Sequence, residues 1–115
     1  MKEIKVFIRK KMLTRVVNEL QRNGFCCTAI INCRGTGKLT DPTREDYPVR
    51  QLTPYLSNLV SKIEIVCKQK DVENIISIIQ SIAGTGEKGD GMIYISEVEE
   101  VIRIRDGMRG EEIVN

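Results

Sequence analysis

The stretch Lys62-Ile63-Glu64-Ile65-Val66-Cys67-Lys68-Gln69-Lys70-Asp71-Val72-Glu73-Asn74-Ile75-Ile76-Ser77-Ile78-Ile79 changes its hydrophobic period midway. From residue 59 to residue 68 the period is two. Leu59, Ser61, Ile63, Ile65 and Cys67 fall on one face, and Val60, Lys62, Glu64, Val66 and Lys68 on the other, as in a strand. Beyond Asp71 the period lengthens. Val72, Ile75, Ile76, Ile79 and Ile82 form a stripe at helical spacing. Asp71 is placed to act as cap or first-turn anion, and Ala83-Gly84 closes the helix.

The same strand-to-helix change occurs at the start of the chain. Residues 2–9 alternate, with Ile4, Val6 and Ile8 on one face. Met12, Leu13, Val16, Val17 and Leu20 then recur at helical spacing, and Asn23-Gly24 is a stop signal. Residues 25–34 (Phe25, Thr28, Ile30, Ile31) read as a second strand, and Met92–Ser96 as a fourth. Val101–Arg105 reads as a further extended run. The order βαββαβ implies an α+β, ferredoxin-like sandwich: a four-stranded antiparallel sheet with two helices on one face. Residues 1–115 form a single domain by length. A segment rich in Gly, Pro and charge breaks the pattern at about 36–57 and predicts a long mobile loop of the kind that carries function.

Composition narrows the function classes. A net charge of +2 is too small to argue for nucleic acid. The absence of Trp, with two Phe and three Tyr, leaves little for base stacking. No apolar run approaches the ~18 residues of a membrane span. Met1–Lys5 alternates in charge, unlike a signal peptide, so a cytoplasmic location is expected. The chain has no His, so Ser-His and Cys-His nucleophile pairs are absent. The carboxylates sit in charged segments with no sign of a tuned acid or base. Cys26, Cys27, Cys33 and Cys67 lack metal-ligand spacing and read as small buried hydrophobes in a reducing compartment. A binding module without a metal fits better than an enzyme.

The candidate site is Thr85-Gly86-Glu87-Lys88-Gly89-Asp90-Gly91, whose glycines let backbone N–H groups approach an anion. Taken alone, such a turn reads equally as a tight connector. Arg103 and Arg105, two apart on an expected strand, project from one face and suit phosphate oxygens, which favours the phosphate reading. Arg34-Gly35-Thr36-Gly37-Lys38 adds glycine and cation at the base of the long loop.

Together these segments resemble a known family. Gly84-Thr85-Gly86-Glu87-Lys88-Gly89-Asp90-Gly91-Met92-Ile93-Tyr94, followed by Val98 through Gly107, is similar to the C-terminal signature of the P-II nitrogen regulatory proteins. Lys62–Val66 is similar to that family's K-I-E-I-V strand, and Arg34–Lys38 to the start of its long loop. The resemblance covers nearly the whole chain. It implies a homotrimer that binds ATP or ADP, with AMP a further option, between subunits. It also implies that the loop at 36–57 docks on a target protein, such as an ammonium channel, an enzyme or a transcription factor. Gly89, Asp90 and Gly91 would hold phosphates through their backbone, and Arg103 and Arg105 would pair with the terminal phosphates. Gly35, Gly37 and Lys38 would contact the nucleotide from the loop base, and Glu64 and Val66 would lie near the ribose and adenine.

The chain departs from the family pattern at four places. Met92 stands where the family has a phosphate-pairing lysine, and Asp106 where it has a threonine. Leu39 replaces the glutamine that helps bind magnesium and 2-oxoglutarate, and Val60 falls near the family's 2-oxoglutarate lysine. These changes argue against a magnesium-dependent 2-oxoglutarate response. They keep open an alternative: a trimeric adaptor that senses another small effector or no nucleotide.

Overall fold

A computed structural model describes residues 1–35 and 58–115. The loop expected at 36–57, with Gly37, Lys38 and Leu39, lies outside the described residues. The main elements are β1 (Lys2–Arg9), α1 (Leu13–Arg22), β2 (Thr28–Gly35), β3 (Asn58–Cys67), α2 (Val72–Ala83) and β4 (Met92–Glu97). The strands form one sheet in the order β2-β3-β1-β4, every pairing antiparallel. This is the ferredoxin-like α+β architecture that the two period changes imply.

Alternation along the strands divides the sheet into two unlike faces. Ile4, Val6 and Ile8 of β1 and Ile63, Ile65 and Cys67 of β3 are buried on the inner face. They pack against Val16 and Leu20 of α1 and Val72, Ile75 and Ile79 of α2 in one core. Among the described residues, the outer face carries no helix. There Lys62 lies over the Phe7 ring at 5.7 Å, and Phe7 packs on Tyr94 with ring centroids 5.4 Å apart. Ile31, Met92 and Tyr94 on this face are 41%, 57% and 52% exposed, enough to leave apolar surface in water.

Four local expectations need correction. β2 begins at Thr28 rather than at residue 25. The Phe25 N–H donates to the Leu20 carbonyl, and the ring drops into the core at the end of α1, so the chain cannot enter the sheet until it has passed residue 27. Asp71 provides no side-chain cap, because a 3-10 turn at Gln69–Asp71 leads directly into α2. Of the four cysteines only Cys67 is buried. Cys26 and Cys27 are exposed on the α1–β2 connection, and Cys33 is half-buried on the edge strand. The Cys26 and Cys27 sulfurs are 4.0 Å apart, and this neighbour pushes the Cys27 thiol pKa up.

The fourth correction concerns the expected strand at Val101–Arg105. Ile102 pairs only with Arg109, in an isolated bridge. The Arg103 N–H donates to the Met108 carbonyl and the Gly107 N–H returns to the Arg103 carbonyl, both at 2.8 Å. Gly107 has a φ of +72°, which lets the chain reverse there. The segment is therefore a tight reversal outside the sheet, and Ile104 at its tip is fully exposed.

The central strands carry the stability. Replacing Ile63 by Ala empties a fully buried site between the sheet and its helices. Chemical denaturation should show a loss of about 2–5 kcal/mol. A loss well below that range would mean that β3 is not the packed centre.

Candidate functional site

The turn Thr85–Gly91 joins α2 to β4, and one side chain organises it. Asp90 Oδ2 accepts hydrogen bonds from the Thr85 N–H at 2.7 Å and the Gly86 N–H at 2.9 Å. Asp90 Oδ1 accepts from Thr85 Oγ1 at 2.5 Å and from Arg9 Nη1 at 2.6 Å. Arg9 Nη2 also donates to the Lys88 carbonyl at 2.9 Å, and Glu87 N–H donates to Thr85 Oγ1. Gly86, Gly89 and Gly91 have φ values of +83°, +96° and +110°, a region that L side chains rarely adopt. Gly91 is constrained a second way, since a Cβ there would stand 1.7 Å from the Phe7 carbonyl oxygen.

Arg9 is the residue that reading the sequence missed. The antiparallel register ends at Phe7↔Met92. Continued two steps, it brings Arg9 opposite Asp90. The signal was present in the alternation of β1, but it could be used only once β1 and β4 were known to be neighbours.

The electrostatics follow from this network. Burial alone would raise the Asp90 pKa, but the hydrogen bonds from Thr85, Arg9 and Gly86 outweigh it and hold the carboxyl at about 2. Asp90 is thus an anion whose charge is balanced by Arg9, and it uses the N–H groups at the start of the turn. Among the described residues, no protein acceptor takes the N–H groups of Lys88 or Gly89. The later half of the turn can therefore present N–H donors to an anion.

The remaining candidates are dispersed. Glu64 lies on the outer face of β3 and pairs with Lys62 at 2.6 Å, which lowers the Glu64 pKa and raises that of Lys62. Val66, near the end of β3, offers its carbonyl to Asn115 Nδ2 at 3.2 Å. Gly35 ends β2 opposite Asn58.

Arg103 and Arg105 do not project together from a strand, as expected, because the chain reverses around them. Arg103 Nε stands 3.1 Å from both Asp106 carboxylate oxygens, and its Nη2 reaches Asp106 Oδ2 at 2.6 Å. Arg105 is 3.8 Å from the same carboxylate and largely exposed. These contacts, Arg103 foremost, pull the Asp106 pKa down. Among the described residues, no hydrogen bond or ion pair links the Thr85–Gly91 turn to this reversal.

A regular antiparallel sheet with one helix-covered face, a glycine turn leading into its edge strand and an arginine-bearing reversal beyond it place the chain in the ferredoxin-like α+β class. The sequence matches the family described as "Nitrogen regulatory protein P-II" over residues 1–108. It is 38% identical to "Nitrogen regulatory protein P-II 2" of Methanothermobacter thermautotrophicus over 118 residues, which covers 99% of this chain and 97% of that protein. It is 35% identical to "Nitrogen regulatory protein P-II" of Nostoc punctiforme, covering 99% of this chain and all of that protein. The fold matches a crystal structure of Arabidopsis thaliana PII bound to citrate with a TM-score of 0.75 and 29% identity, over 96% of this chain and 86% of that one. The chain belongs to the P-II nitrogen regulatory protein family.

The Asp90 network has a pH signature. Its carboxyl has a folded pKa of about 2, below the ordinary value of 3.8. Its contribution to stability is therefore present above pH 3.8 and is lost as the pH falls toward 2. In an Arg9→Met variant the Asp90 carboxyl should titrate closer to 3.8, measured by NMR of the side-chain carboxyl carbon. An unmoved titration would show that Arg9 does not hold the charge.

Proposed function

We propose that this chain is a P-II-type signal-transduction regulator, not an enzyme, that binds an adenine nucleotide (ATP, ADP or AMP) between subunits. The observation that carries this reading is the Asp90 network. A carboxylate inside a phosphate-binding turn would normally repel its ligand. Here Arg9 offsets that charge, and the carboxylate shapes the first half of the turn while the N–H groups of Lys88 and Gly89 are left for phosphate oxygens.

The separation of the turn from Arg103 and Arg105 within one chain supports a site completed by a second subunit. Exposed Ile31, Met92 and Tyr94 on the helix-free sheet face support association into the homotrimer that the family resemblance implies. Control of a target, whether transporter, enzyme or transcription factor, is assigned to the loop at 36–57. Val60 is buried and uncharged on β3, which supports the absence of a 2-oxoglutarate response.

One observation favours a second reading. Arg103 already holds Asp106 through three short contacts, so a phosphate must displace a carboxylate to reach it. If that pair does not open, the chain is an adaptor that senses another effector or none.

Isothermal calorimetry with ATP, ADP and AMP separates the two readings. Saturable binding is expected, weakened about tenfold or more by Arg103→Ala with Arg105→Ala, because charge-assisted hydrogen bonds are removed. No heat with any nucleotide at millimolar concentration, together with an unchanged Tm, would establish the adaptor reading instead.

A further inference from the structure

The end of the β2–β3 ladder is occupied in an unusual way. The last rung joins Thr28 to Ile65, and the next would join Cys27 to Val66. That rung is bridged by a side chain instead. Asn115 Oδ1 accepts the Cys27 N–H at 3.0 Å, and Asn115 Nδ2 donates to the Cys27 carbonyl and the Val66 carbonyl, both at 3.2 Å. Both amide donors and the amide acceptor of one side chain are thus taken up by backbone groups far away in sequence.

The three backbone groups form a pattern of one N–H donor beside two carbonyl acceptors. Adenine presents the complement: an amino group with two N–H donors beside a ring nitrogen acceptor. A carboxamide presents the same set in smaller form. Guanine seated in the same pose does not, since it carries the O6 acceptor where adenine carries its amino group. Val66 is also a residue that the family resemblance would put near the adenine.

We propose that Asn115 is a tethered stand-in for the adenine base, docked on Cys27 and Val66 so that nucleotide must displace it to bind. The inference rests on the adenine-nucleotide reading above and adds to it a self-inhibited state. Asn115 is delivered by a short 3-10 turn at Glu111–Ile113, itself entered through Gly110 at a φ of +97°. Tethering keeps the amide at high effective concentration beside the site, so the apparent affinity for nucleotide is reduced by the fraction of molecules in the docked form. The device also acts as a filter. A ligand must offer a donor pair and an acceptor to replace what the amide gives up, which adenine does through its 6-amino edge and guanine, with O6 in that place, does not.

The test compares the full chain with its Asn115→Ala and Asn115→Asp variants. Alanine removes all three contacts. Aspartate keeps the size but lacks the donors and faces two carbonyls. ADP affinity, measured by calorimetry, should tighten about tenfold in both variants, while GDP affinity should not change. By NMR, the Cys27 amide should exchange slowly in the parent chain and rapidly in both variants, before any nucleotide is added. Equal ADP affinity in all three proteins would overturn the inference and leave nucleotide binding intact. Fast Cys27 exchange in the parent chain would overturn it too. If none of the three binds any nucleotide, the nucleotide reading fails and this inference fails with it.

Discussion

Strand β1 is paired on both sides, to β3 on one and to β4 on the other, and the rest of the molecule depends on that double pairing. Its inner residues Ile4 and Val6 are fully buried, so a slip of one residue would put charge into the core. The register is therefore fixed by burial. Once fixed, it also sets what happens at the end of the strand. Arg9 reaches the carboxylate of Asp90, and Gly91 passes so close to Phe7 that no side chain fits.

The hydrophobic constraint thereby becomes an electrostatic one. Asp90 sits in a turn whose N–H groups could serve an anion, and alone its charge would oppose that use. Arg9 offsets the charge, and Thr85 and Gly86 fix the carboxylate so that it organises the first half of the turn. The core positions Arg9, Arg9 and Thr85 hold Asp90, and Asp90 shapes the turn. A comparable pairing operates at the reversal beyond β4, where Asp106 holds Arg103. In that case the carboxylate competes for the cation instead of shaping a turn.

The opposite end of the sheet has a different logic. There the β2–β3 ladder stops one rung short, because Phe25 commits the preceding chain to the core. The unpaired backbone groups of Cys27 and Val66 are satisfied by a side chain from beyond the last 3-10 turn. One amide can supply an acceptor and two donors at once.

The sequence by itself determined the element order, the sheet's inner face and the family. Period two and period 3.6 are local properties of adjacent residues, and the glycines of residues 84–91 are visible without any partner. It pointed to the turn as a candidate anion site only with the help of Arg103 and Arg105, because the glycines alone read equally as a tight connector. Only the tertiary structure decided which groups meet. Arg9 and Asp90 are far apart in the chain, as are Cys27, Val66 and Asn115, and nothing in their spacing brings them together. The reversal at Arg103–Gly107 was misread as a strand for a related reason. Alternating Val101, Arg103 and Arg105 mimic period two, but instead of pairing with the edge strand β4 the chain satisfies its backbone by turning on itself. The exposure of Cys26 and Cys27 was likewise settled by where the connection from α1 enters the sheet, which their apolar character does not report.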